Sequence, residues 1–149
     1  MSDNWLQFVP TDPLFRPSQA AAKKAKALLA SFVPRADEVS VEFKDTIQFF
    51  HPCGNWSGVK CPSCGADAEP WWQDAMDSAS NRDFSDLNVT TPCCGVRESL
   101  NNLNYVWPAA FASFVIEVRN PGVKDLSPVQ ERELASCLGC EIRRIWVHI

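Results

Sequence analysis

Apolar positions along this chain switch between a period of two and a period near 3.6, and the switches outline its elements. Val39, Val41 and Phe43 alternate with Ser40 and Glu42, which predicts a strand. Lys44-Asp45-Thr46 then predicts a turn, with Ile47 to Phe50 continuing as a second strand. The clearest strand is Phe111 to Val118, with Phe114, Ile116 and Val118 on one side and Val115 on the other. Ile142 to Ile149 reads as a closing strand, splitting Ile145, Val147 and Ile149 from Arg144, Trp146 and His148. Helical spacing appears three times. Ser18 caps a helix that Pro34 stops, with Ala21, Ala25, Leu28, Leu29 and Phe32 on one face and Lys23, Lys24 and Lys26 opposite. Glu69 to Met76 begins a second helix whose stripe is Trp71, Trp72, Ala75 and Met76. Ser127-Pro128-Val129-Gln130 is an N-cap, first-turn proline and capping-box glutamine for a third, which Gly139 ends. Phe84–Thr91 and Val96–Leu100 read as two strands with Pro92 to Gly95 at the tip between them.

The last third is thus strand–helix–strand, a unit whose two strands lie parallel in one sheet. Adding the earlier strand, the tryptophan-rich helix and the strand after it predicts an α+β fold: a split β-α-β (ferredoxin-like) sheet with helices on one face and the cysteine hairpin as an elaboration. Pro10, Pro13 and Pro17 block regular helix in residues 1–17, predicting an extended N-terminal arm docked through Trp5, Leu6, Phe8, Leu14 and Phe15. Residues 18–149 form the single α+β domain.

Composition narrows the function classes. The 46% hydrophobic and 21% charged content of these 149 residues is that of an ordinary globular chain. A net charge of -4 argues against a general nucleic-acid binder, whose footprint is basic. The Met1-Ser2-Asp3-Asn4-Trp5 start has no basic region followed by an apolar run, and Ala109–Ile116 is too short to span a bilayer. The expectation is a cytoplasmic chain with reduced thiols and no membrane partner. On that expectation the sequons at Asn55 and Asn88 are chance matches.

Five of the seven cysteines fall between His51 and Gly95: Cys53, the pair in Cys61-Pro62-Ser63-Cys64-Gly65, and the pair in Thr91-Pro92-Cys93-Cys94-Gly95. Cys-x-x-Cys-Gly sets two thiolates on a tight turn whose backbone amides point at sulfur, and structural zinc takes four such ligands at ~2.3 Å. Cys61, Cys64 and Cys94 are the first three ligands. The fourth is Cys93, Cys53 or His51. Cys93 is nearest the pattern, although adjacent Cα atoms only ~3.8 Å apart make joint chelation with Cys94 awkward. Cys137-Leu138-Gly139-Cys140 is a second Cys-x-x-Cys, but it straddles a helix C-terminus, where the dipole disfavours thiolate. Cys137 is therefore expected in the helix core and Cys140 at the start of the strand.

Cys-Pro-Ser-Cys-Gly resembles the knuckle of the zinc-ribbon group over about residues 51–97. Laid on that frame, Thr91 stands where a cysteine is expected, and Cys93 falls late. The resemblance implies one structural Zn2+ and a module that binds protein or nucleic acid. Residues 40–149 also resemble small bacterial soluble proteins with a Cys-Pro-x-Cys-Gly and Cys-Cys-Gly pair, through Trp71-Trp72, Trp107-Pro108, Leu138-Gly139-Cys140 and Trp146-Val147-His148. That likeness implies no activity.

No Gly-x-Ser-x-Gly, phosphate loop or His-Glu-x-x-His occurs. His51 and His148 are the only histidines to consider as bases. The expected function is a zinc-stabilised binding or adaptor protein, of immunity type, acting on another protein, with no catalytic residues. The alternatives are a nucleic-acid binder using Lys23, Lys24 and Lys26 or Arg143 and Arg144, and a metalloenzyme whose zinc is open, held by three cysteines or by two cysteines and a histidine.

Overall fold

The most apolar run of the chain, Ala110–Arg119, is an inner strand of a four-stranded antiparallel sheet. The computed structural model describes residues 2–149. In chain order the elements are β1 (Asn4–Pro10), α1 (Gln19–Phe32), β2 (Glu38–Phe50), β3 (Val59–Lys60), α2 (Glu69–Ser80), β4 (Asn88–Thr90), β5 (Arg97–Ser99), β6 (Asn104–Tyr105), β7 (Ala110–Arg119), α3 (Pro128–Leu138) and β8 (Ile142–His148). The protein is a mixed α+β chain with three helices. Its main sheet has the order β2-β7-β1-β8, β3 pairs with the distant β6 in a small antiparallel ladder, and β4-β5 form a small hairpin.

The N-terminal stretch is extended, and Asn4–Pro10 is itself a strand of the main sheet rather than an arm docked on it. β1 sits between β7 and β8, pairing Phe8 with Ile116 on one side and with Arg144 on the other. Leu6 and Phe8 are buried on one face, while Trp5 and Val9 join the cluster on the other. This period-two signal lay hidden beside Pro10, which ends the strand, and Pro13 and Pro17, which lie in the connection to α1. β7 and β8 consequently run parallel with β1 between them.

The turn expected at Lys44–Thr46 is also corrected. β2 is one strand: Phe43 pairs with Phe114 and Gln48 with Ala112, and the residues between form a bulge. The Arg16 guanidinium donates to the Lys44 carbonyl within that bulge. Because both halves pair with the same partner, β7, no reversal is needed.

One face of the sheet carries α1 and α3 over Leu6, Phe8, Phe114, Ile116 and Val118. The Ser18 cap accepts from the Ala21 amide at 3.0 Å, and Ser127 and Gln130 make the expected reciprocal box. Gly139 ends α3 with φ of 82°, the left-handed cap that glycine adopts without cost. The tryptophan-rich helix α2 is not part of this layer. Met76 and Ala79, with Trp71 and Trp72 beside them, pack into a second core with Val59, Leu100, Leu103, Tyr105 and Phe111. That core belongs to the segment between β2 and β7, which carries both cysteine knuckles.

A buried amide joins the two cores. Asn101, 3% exposed, donates from Nδ2 to the Thr11 carbonyl and accepts through Oδ1 from the Phe111 amide. Arg143 Nη1 donates to the Asn101 carbonyl at 2.7 Å and to the Ala109 carbonyl at 3.2 Å. Burial lowers the Arg143 pKa, yet arginine stays charged in proteins. Arg143→Leu leaves these carbonyls without their charged donor. The expected loss is about 2 kcal/mol, read as a lowered denaturation midpoint.

Candidate metal centre

Two turns of the same build carry the four sulfurs. In the first, Cys61 N donates to Ala66 O at 2.8 Å and Gly65 N to Cys61 O at 2.9 Å. In the second, Thr91 N donates to Val96 O at 2.9 Å and Gly95 N to Thr91 O at 2.7 Å. Position by position, Cys61-Pro62-Ser63-Cys64-Gly65 and Thr91-Pro92-Cys93-Cys94-Gly95 follow one backbone path. Gly65 and Gly95 have φ of 76° and 72°, and a Cβ on either would meet nothing within 4 Å. Their glycine requirement is therefore the left-handed backbone rather than space. β3 leads into the first turn, and the β4–β5 hairpin carries the second at its tip.

Cys61, Cys64, Cys93 and Cys94 place their sulfurs within 4.8 Å of one another. Cys61 Sγ is 3.8 Å from Cys94 Sγ, and Cys64 Sγ is 3.5 Å from Cys93 Sγ. A tetrahedral ion with metal–sulfur bonds near ~2.3 Å needs sulfurs roughly 3.8 Å apart, so this group can hold a metal ion. Cys61 is buried, and the other three residues are exposed at the rim. Adjacency does not keep Cys93 and Cys94 apart from the group: both sulfurs lie in it.

Thr91 makes the offset pattern work. It is fully buried, its Oγ1 accepts from the Val96 amide at 3.0 Å, and it lies 3.2 Å from Cys94 Sγ. Thr91 thus closes the second turn by hydrogen bonds, and Cys93, two residues on, brings the remaining sulfur. The two-place offset from Thr91 to Cys93 was the sequence signal for this division of labour.

The other candidates lie elsewhere. His51 stacks on Phe49 at 5.5 Å between ring centroids. Cys53 bridges to His148 beside the free edge of β8, with Gly54 N donating to His148 O at 2.8 Å. Neither is in the sulfur group, and burial raises the Cys53 thiol. His148 Nδ1 lies 2.8 Å from Asn4 Oδ1. Cys137 and Cys140 pack against the first core, and burial pushes Cys140 up to about 11, which keeps it a thiol. Arg144 is engaged by Asp125 at 2.7 Å and Glu131 at 2.9 Å, and Arg143 by the carbonyls described above, while Lys23, Lys24 and Lys26 are exposed on α1.

No family model, curated protein or solved structure matches the chain. The likeness to zinc ribbons rests on the knuckle residues alone. Among the described residues, no helix is long and apolar enough to cross a membrane.

The sulfurs differ in acidity. The backbone amide of Cys64, first among several donors, holds Cys61 down to about 6. Desolvation of its sulfur, then the neighbouring thiols, pushes Cys93 up to about 12. Metal binding needs thiolates. Cys61 gives up its proton more readily than Cys93, and an ion that takes all four sulfurs displaces the protons that remain. Affinity is therefore expected to rise with pH and metal to leave on acidification, with proton release on binding. A chromogenic chelator monitored from pH 8 to pH 5 checks this: release that does not grow as pH falls would contradict it.

Proposed function

We propose that the chain holds one structural Zn2+ on Cys61, Cys64, Cys93 and Cys94 and acts as a zinc-stabilised binding or adaptor module, of immunity type, on a protein partner in the cytoplasm. The observation that carries the metal reading is the sulfur group itself, four thiols from two matching turns at tetrahedral spacing. Four sulfur ligands close the coordination shell, and a closed shell leaves no position for a water or substrate. That favours a structural over a catalytic ion, and over the open site of three cysteines or of two cysteines and a histidine. The ion would clamp the turn after β3 to the tip of β4–β5.

The zinc-ribbon likeness supports protein contacts, and the same segment exposes two apolar side chains, Val96 at 40% and Val106 at 48%. We also infer the ferredoxin-like plan for the main sheet, supported by the order β2-β7-β1-β8 with α1 and α3 on one face.

Native mass spectrometry tests the metal reading. One zinc per chain is expected in the wild type and in Cys53→Ala, and markedly lower occupancy in Cys64→Ser. Loss of zinc in Cys53→Ala would overturn the ligand set. The binding role is tested by affinity capture with the zinc-loaded chain against a Val96→Asp/Val106→Asp variant. Equal recovery of every captured protein would remove the role given to this surface.

A further inference from the structure

A cavity of about 630 Å3, none of whose lining residues is a cysteine, opens between the loop after α1, the loop after β7 and the β8 edge. Its size falls within the roughly 300–1,000 Å3 usual for small-ligand sites. One wall is aromatic. Trp107, 38% exposed, stands edge-on to Trp146 with ring centroids 6.1 Å apart and planes at 89°. The Arg144 guanidinium lies 4.2 Å from the Trp146 ring centroid and is itself gripped by Asp125 and Glu131. Trp146 is thereby fixed before any ligand arrives, and it fixes Trp107 in turn. Asn55 Nδ2 donates to the Trp146 carbonyl at 3.3 Å, which leaves its Oδ1 as a free acceptor in the lining.

The lining also carries cations. Arg35 and Lys124 line the cavity, and neither forms a salt bridge among the described residues. The carboxylate in the lining, Asp37, is already held by Asn120 Nδ2 at 2.8 Å and faces Arg119 at 4.0 Å. Gly122 brings the two loops together: a Cβ there would lie 3.2 Å from Arg35 Cβ, and its φ is 73°. A preorganised π wall, a free amide acceptor and two unpaired cations in one cavity are complementary to a planar base carrying an anionic group.

We propose that this cavity binds a mononucleotide, its base against Trp107, an amino or imino N–H donated to Asn55 Oδ1, and its phosphate between Arg35 and Lys124. Two cations suit one phosphate. A continuous strand needs a longer basic track, and the cations of this lining are Arg35 and Lys124.

Titration calorimetry with adenosine 5′-monophosphate and uridine 5′-monophosphate tests it, alongside indole N–H NMR spectra of the full-length, zinc-loaded protein. Binding of at least one nucleotide is expected, moving the Trp107 and Trp146 signals and leaving those of Trp71 and Trp72 in place. Adenosine and ribose 5-phosphate, each lacking half the ligand, should bind roughly tenfold more weakly or worse. Trp107→Ala and Lys124→Ala, both at exposed positions, should each cost roughly tenfold, in line with a lost stack or a lost phosphate contact. The proposal is overturned if neither nucleotide binds at millimolar concentration, if both variants bind as the wild type does, or if ribose 5-phosphate matches the nucleotide. It is also overturned if a 5′-phosphorylated tetranucleotide binds more than tenfold tighter, since the site would then belong to a strand end.

Discussion

Cys93→Ser is expected to weaken zinc binding about a hundredfold, and Thr91→Cys in the same chain to restore it. Structural zinc in small domains contributes about 10–16 kcal/mol over four ligands, so one ligand is on the order of 3 kcal/mol, or about a hundredfold in affinity. The rescue follows from the backbone. Thr91 occupies in the second turn the place Cys61 occupies in the first, with the matching hydrogen bonds to Val96 and Gly95. Its Oγ1 is already 3.2 Å from Cys94 Sγ, against 3.8 Å between Cys61 and Cys94 sulfurs. A sulfur at position 91 therefore points into the group. Competition with a chelator of known affinity reads both variants. If Cys93→Ser binds zinc as tightly as the wild type, Cys93 is not a ligand. If Thr91→Cys fails to rescue a folded Cys93→Ser protein, the two turns are not equivalent around the metal.

Phe111→Ala is the substitution of a core residue expected to cost most, about 3–5 kcal/mol. Phe111 is fully buried and pairs with Phe49 across β2 and β7. Its ring lies 4.8 Å from that of Phe49 and 5.2 Å from that of Phe84. It is the point where the main sheet reaches into the second core, so its loss opens a cavity under the whole metal-bearing segment. Against a total stability of roughly 5–15 kcal/mol, that is a large share. The denaturation midpoint should fall sharply, and amide exchange should accelerate within residues 59–105. Val129→Ala, at a position 54% exposed, is the control and should change little. A Phe111→Ala protein within about 1 kcal/mol of the wild type would refute the joint assigned to this ring.

Local rules carried the reading where one element decides its own shape. The capping box at Ser127 and Gln130, the Gly139 stop and the alternation from Phe114 to Val118 each depend on neighbours in sequence, and each is found in the fold. Positions decided by distant partners were less legible. β1 is an inner strand because β7 and β8 flank it, and its prolines masked a short alternation. Lys44–Thr46 looks like a turn in isolation, but it is a bulge because β7 accompanies the chain on both sides of it. The tryptophan-rich helix has a stripe that fits either core; only the fold assigns it to the second. The ligand question had the same character. Whether Cys93, Cys53 or His51 joins Cys61, Cys64 and Cys94 depends on where the loop after β2 goes, and it runs to the β8 edge, taking His51 and Cys53 with it. Arg143 reads as surface charge in the sequence, and the carbonyls it serves come from Asn101 and Ala109, far back along the chain.

X-ray absorption at the zinc edge of the purified protein tests the central claim most directly. One zinc with four sulfur neighbours at about 2.3 Å and no nitrogen or oxygen bound to the metal is the predicted result. A histidine or water scatterer at bonding distance, or a folded protein that takes up no zinc, would contradict it.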